Sequence, residues 1–164
     1  MKLLLIMSFL AFFTNAHALD VGAAAPLVSA VDENGATVKF EDYYKKGPTL
    51  VYFYPKADTP GCTKQACSLR DSFESLQGRG LQILGVSEDK VESQKAFKEK
   101  YHLPFLLIAD HDGAVAKAFG VPTMLGLAKR QSFLISGGKV VWNDLNVSPS
   151  DHVAKVQAAM ENLK

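Results

Sequence analysis

The sequence predicts an α/β sandwich, a mixed central sheet with flanking helices entered through an N-terminal β-hairpin. Three observations predict it. Apolar runs of strand length alternate with amphipathic runs of helical period from Leu50 onward. Asn34-Gly35 and Gly137-Gly138 each lie between apolar stretches, where such dipeptides close tight hairpins. A content of 48% hydrophobic and 21% charged residues over 164 positions is the balance of a folded globular chain, not a disordered one.

Each element has its own signal. Leu27 to Val31 pairs with Ala36 to Phe40 across the Asn-Gly turn, and Glu41 to Gly47 reads as a polar, lysine-bearing connection. Leu50-Val51-Tyr52-Phe53-Tyr54 is apolar or aromatic throughout, so it reads as a core strand covered on both faces, stopped by Pro55. Cys62, Ala66, Leu69, Phe73 and Leu76 make one stripe of helical period, closed by Gly78 and Gly80. Strands at 81–86 and 105–109 alternate with helices at 91–101 and 113–119. Gln131 to Ile135 and Val140 to Trp142 form the second hairpin. Pro149 to Leu163 reads as a final helix, capped by Ser148 with Pro149 at its first position. Asp89, Asp110 and Asp112 read as caps, and His102, His111 and His152 as surface or helix-end residues. No Cys/His cluster has zinc-ligand spacing, so no zinc site is expected.

Lys2, the apolar run from Leu3 to Phe13 and the small-residue pattern Ala16-His17-Ala18 have the order of a secretory signal peptide. The run is about half the ~20 residues a spanning helix needs. Residues 1–18 are therefore expected to be cleaved, leaving a domain at 19–164 exported to an oxidising compartment, most simply a bacterial periplasm. Loss of Lys2 leaves equal numbers of basic and acidic residues, from 18 and 17 in the full chain. That balance argues against a nucleic-acid partner or a membrane-surface role. A domain of this size also needs no disulfide to hold together.

Chemistry concentrates between Pro55 and Cys67. Thr59 is a good N-cap and Pro60 suits the first helical position, which puts Cys62 in a first turn beside unpaired backbone N–H groups. Such a position favours thiolate over thiol. For a general thiol whose pKa falls from about 8.5 to about 6, the thiolate fraction at pH 7 rises roughly thirty-fold. Intrinsic nucleophilicity falls roughly ten- to eighteen-fold over the same interval. The net gain is a few-fold, so a fast nucleophile here also needs donors that stabilise the leaving group. Cys67 lies five residues on, about 8–9 Å away between Cα atoms on a helix. A disulfide tolerates only up to about 7 Å. Either the two never bond, or the helix unwinds when they do; the spacing favours a redox cycle over a structural bridge.

Pro55-x-x-x-Thr59-x-x-Cys62 matches the peroxiredoxin active-site motif in full. With Cys67 and Leu69-Arg70-Asp71, the segment resembles the peroxiredoxin Q, or bacterioferritin comigratory protein, subfamily. Phe53-Tyr54-Pro55-Lys56, Gly85-Val86-Ser87, Phe119-Gly120-Val121 and Arg130-x-Ser132-Phe133-Leu134-Ile135 extend the likeness over almost the whole domain. The resemblance implies a thioredoxin-like sandwich and a peroxidase without metal, haem or flavin, acting as a monomer on hydroperoxides. It implies that Cys62 is the peroxidatic cysteine and Cys67 the resolving one, joined in an intramolecular disulfide that a thioredoxin-like donor reduces. Thr59 would hold the peroxide, Pro55 shield the pocket and Arg130 support the thiolate. Ser136 departs from the family's usual Asp, a hairpin detail, and the export signal departs from its usual compartments.

Two other classes compete. A thiol–disulfide oxidoreductase would share the fold, but carries C-x-x-C, and a proline where this chain has Lys129-Arg130-Gln131. A non-enzymatic exported module would hold Cys62 and Cys67 in a static disulfide.

Overall fold

A computed structural model describes residues 17–163. The apolar run of the expected leader lies outside them. The hairpin of β1 (Ser29–Asp32) and β2 (Thr37–Lys39) opens the fold. Gly35 takes φ +77°, and the Asp32 carboxylate accepts the amides of Asn34 and Ala36 across the turn. The segment expected as a plain connection begins instead with a short helix, α1 (Phe40–Tyr44), which buries Phe40 completely. One apolar anchor leaves no periodic trace in the sequence.

β3 (Thr49–Phe53) is buried along its whole length. α2 (Pro60–Asp71) and α3 (Phe73–Gln77) replace the single helix expected, because Ser72 departs from helical geometry at φ −101°, ψ 3°. The stripe survives the break: Cys62, Ala66, Leu69 and Leu76 enter one core, with Phe73 against it. β4 (Gln82–Ser87), α4 (Val91–Tyr101), β5 (Leu106–Ala109) and α5 (Ala114–Ala118) follow close to expectation. Asp110 caps α5 as expected, accepting the amides of Val115 and Ala116 at 2.8 Å each. Burial pushes its carboxyl upward against those donors. A hairpin of two-residue strands, β6 (Thr123–Met124) and β7 (Leu127–Ala128), is too short for a periodic signal. β8 (Gln131–Ser136) and β9 (Lys139–Asp144) turn at Gly137 and Gly138, both with positive φ.

The seven-stranded sheet runs β2-β1-β5-β4-β3-β8-β9, with β3, β4 and β5 parallel and the outer pairings antiparallel. Alternate residues of β3 and its extension serve two cores. Leu50, Tyr52 and Tyr54 pack with α2, α4 and the C-terminal helix, while Val51 and Phe53 pack with Phe40, Val115 and Phe119 on the other face. Tyr52, Phe53 and Tyr54 are thus core residues, as the run of apolar side chains predicts.

α6 (His152–Glu161) starts three residues later than Pro149 implies. Ser148 to Asp151 form a turn in which the Ser148 hydroxyl meets that of Ser150 at 2.8 Å instead of capping the helix. His152 is then fully buried, a correction to its reading as a surface or helix-end residue. Its ring lies between Gln65 on α2, 3.1 Å from Nδ1, and Ser132 on β8, 2.8 Å from Nε2. Burial pushes it down to about 4; Asp144 and Asp151 oppose this, and Arg130 and Lys155 reinforce it.

The sign of the consequence follows. Between about pH 6.5 and 4 the unfolded chain binds a proton at His152 that the folded chain refuses. The contribution is complete above about pH 6.5 and is lost as pH falls, on the order of 3 kcal/mol across the interval. Urea denaturation of wild type and His152→Asn at several pH values should therefore show a steeper acid loss in wild type. Parallel profiles would show that His152 does not titrate out of a buried site.

Candidate active site

β3 ends at Phe53, and the chain crosses a short loop into the first turn of α2. Pro60 is the first helical residue and Thr59 the N-cap, extended at φ −94°, ψ 155°. The Thr59 hydroxyl does not cap; it donates to the Lys56 carbonyl at 2.8 Å. The first helical bond runs from Thr63 N–H to Thr59 O, so the amides of Gly61 and Cys62 have no intrahelical acceptor. They sit with the Cys62 sulfur at the positive end of the helix. Cys62 is 2% exposed and Pro55 is half-buried.

Arg130 comes from just ahead of β8, the strand beside β3. Antiparallel pairing sets Tyr52 against Ser132 and Phe53 against Gln131, so residue 130 emerges where β3 releases the loop. Its Nη2 donates to the Cys62 sulfur at 3.4 Å and its Nη1 to Gln65 Oε1 at 2.6 Å. Gly61 makes room: a Cβ there would lie 3.2 Å from Nη2. Thr59, Cys62 and Arg130 are thus gathered around one turn. Cys67 is half-buried on the same unbroken helix, and both cysteines are free thiols.

The loop itself is held from α4 and from the end of β4. Ala57 N–H donates to Asp89 at 2.7 Å, and Asp89 also accepts from the Ser87 hydroxyl. Asp89 therefore braces the loop; it does not cap α4, whose N-cap is Lys90. Ser87 accepts from Gln94, which takes the Tyr54 hydroxyl on its other end. Asp58 adopts a left-handed φ of +57° that few side chains tolerate. Lys100 and the Tyr101 hydroxyl clasp its carboxylate at 2.8 and 2.6 Å and hold its carboxyl below the usual range.

Gly61, Gln65, Asp58, Asp89 and His152 are the site residues that reading the sequence misses. Gln65 alone left a signal. It stands three residues after Cys62 and one before Ala66, a polar residue on the apolar face, and it is fully buried.

Residues 21–143 match the AhpC/TSA family. The chloroplastic peroxiredoxin Q of Oryza sativa subsp. japonica is 39% identical over 146 residues, covering 87% of this chain and 67% of that one. Among solved structures, peroxidoxin BcpB of Mycobacterium tuberculosis superposes with a TM-score of 0.83 at 31% identity, over 88% of this chain and 97% of its own. The bacterioferritin comigratory protein of Xanthomonas campestris gives 0.79 at 30%, over 87% and 98%. With its mixed sheet, its flanking helices and its first-turn cysteine, the chain belongs to the AhpC/TSA family, in the peroxiredoxin Q and bacterioferritin comigratory protein group.

Proposed function

We propose that this thiol-dependent peroxidase reduces hydrogen peroxide and organic hydroperoxides through a sulfenic acid on Cys62, resolved by Cys67. One observation carries the reading: the Arg130 guanidinium donates to a first-turn sulfur, with a second free thiol five residues along the same helix. The Xanthomonas relative is described by its alkyl peroxide reduction activity, which supports organic hydroperoxides as substrates.

The geometry supports the following roles. The Thr59 hydrogen is committed to Lys56 O, so its oxygen lone pairs are free to accept from the peroxide O–H. The Cys62 thiolate attacks the nearer oxygen; the S–O bond forms, the O–O bond breaks, and the alkoxide or hydroxide leaves with a proton. The free amides of Gly61 and Cys62 and the Arg130 guanidinium supply donors for the charge that develops. Pro55, half-buried at the exit of β3, shields the pocket. Cys67 sulfur then displaces the sulfenic oxygen as water, forming an S–S bond. A thioredoxin-like dithiol returns both sulfurs to thiols.

Export after Ala18 is part of the same proposal, with the periplasm as compartment and a monomer as the working form. Leu19 is bound to the domain, its N–H donating to Phe119 O and its carbonyl accepting from Asn143, and Ala18 packs against the same core.

Stoichiometric peroxide followed by mass spectrometry tests the cysteines. Cys62→Ser should abolish peroxide consumption. Cys67→Ser should consume about one equivalent, then stall as sulfenic acid or over-oxidise. Full turnover by Cys62→Ser would end the assignment. Because the bond cannot span a wound helix, oxidation of the wild type should lower the far-UV helical signal and reduction restore it. An unchanged signal on forming the Cys62–Cys67 bond would contradict the mechanism.

A further inference from the structure

The contacts leading away from Cys62 do not stop at Arg130, and their directions are fixed by chemistry. A guanidinium has no acceptor, so the Gln65 atom facing Arg130 Nη1 at 2.6 Å is Oε1. The other end, Nε2, is then a donor, 3.1 Å from His152 Nδ1. Nδ1 is therefore bare, the ring proton sits on Nε2, and it is donated to the Ser132 hydroxyl at 2.8 Å. Gln65, His152 and Ser132 are all fully buried, so no water competes for these bonds. Cys62, Arg130, Gln65, His152 and Ser132 form one directed chain from α2, across the residue ahead of β8, to α6.

Gln65 stands between the two cysteines, on the stretch that must unwind before their sulfurs can meet. Its bonds to Arg130 and His152 are made by the wound helix and lost when it opens. One side chain thus serves both halves of the cycle: it steadies the guanidinium during attack, and it must let go before capture. We infer that His152 is a positioning residue which latches the wound form of α2 through Gln65, and so sets how long the Cys62 sulfenic acid stays in its pocket before Cys67 arrives. The inference rests on the peroxidase reading above.

The latch has a measurable product ratio. While α2 is wound, the sulfenate sulfur can attack a second hydroperoxide; an S–O bond forms, the O–O bond breaks, alcohol or water leaves, and a sulfinate remains. Once α2 opens, Cys67 attacks, the S–O bond breaks, and the disulfide forms with loss of water. A weaker latch favours disulfide over sulfinate and slows the first attack.

The test uses the full domain, reduced, with graded hydrogen peroxide and rapid acid quench, reading sulfinate against disulfide by mass spectrometry. His152→Leu should lower the sulfinate-to-disulfide ratio about two- to tenfold, the worth of one lost buried hydrogen bond. It should also slow sulfenic acid formation. His152→Asn offers an amide oxygen near the place of Nδ1 and should return both readings toward wild type. Gln65→Met, which also removes the direct bond to Arg130, should lower the ratio at least as far as His152→Leu, and the double variant should equal Gln65→Met alone, since His152 acts only through Gln65. Should His152→Leu fail to fold, Gln65→Met and His152→Asn still decide the matter. A ratio unmoved in His152→Leu or in Gln65→Met, or effects of these two substitutions that add, would overturn the latch while leaving the peroxidase intact. A wild type that forms neither sulfenic acid nor disulfide would overturn both.

Discussion

The donor-only chemistry of one guanidinium organises this active site. Arg130 must face acceptors on every side, and it finds the Cys62 sulfur with one nitrogen and the Gln65 carbonyl oxygen with another. Its position is a consequence of strand register. A slip of one residue between β3 and β8 would turn every side chain of β8 to the opposite face and carry residue 130 away from the loop. The two cores lock that register, because Leu134 belongs to one and its neighbours Phe133 and Ile135 to the other. Burial of ordinary aliphatic and aromatic side chains is therefore what aims the charge at the sulfur.

In the proposed cycle the helix that carries the sulfur must hold it and later open. α2 has no side-chain cap and no acidic residue in its first turn, and its second residue is glycine. A missing cap alone costs about 1 kcal/mol, and glycine adds a penalty of similar size in a helix interior. In the proposed mechanism both features serve the chemistry. The Thr59 hydroxyl turns to Lys56 O and leaves its oxygen open to substrate, and Gly61 leaves space for Arg130. Helix stability has been given up at the places where the reaction needs atoms or room, and tertiary bonds from Arg130 and His152 restore part of it.

What the sequence reveals and what it hides divide along the range of the interaction. Alternating or helical periods, the Asn-Gly and Gly-Gly turns, and Thr59-Pro60 ahead of Cys62 are local, and they locate the sheet, both main hairpins and the nucleophile's helix. The separation of Cys62 and Cys67 is also local, and both lie on the one helix α2. His152 has no such trace. It lies between Asp151 and Val153 at a helix start, and its burial is decided by Gln65, 87 residues away, and Ser132, 20 away. Asp89 is another case, since the same carboxylate reads as a helix cap until Ala57 is found 2.7 Å from it. α1 and the β6–β7 hairpin are too short for a period, and the break at Ser72 lies on a stripe that continues through it.

The same long-range contacts bound the motion that the proposed resolution requires. Asp58, before the helix, is held by Lys100 and Tyr101 in the last turn of α4. Arg70, near its end, donates to the Tyr101 carbonyl at 2.8 Å. Leu69 beside it is fully buried. Both flanks of the opening stretch are thus tied to one turn of a neighbouring helix, and the second flank is also sunk in the core. Between them, Cys62 is buried and bonded to Arg130, whereas Cys67 is half-buried and follows the peripheral Lys64 face. In the proposed cycle this difference makes Cys67 the sulfur that travels and Cys62 the one that waits, the order expected of a peroxidatic residue fixed in its pocket.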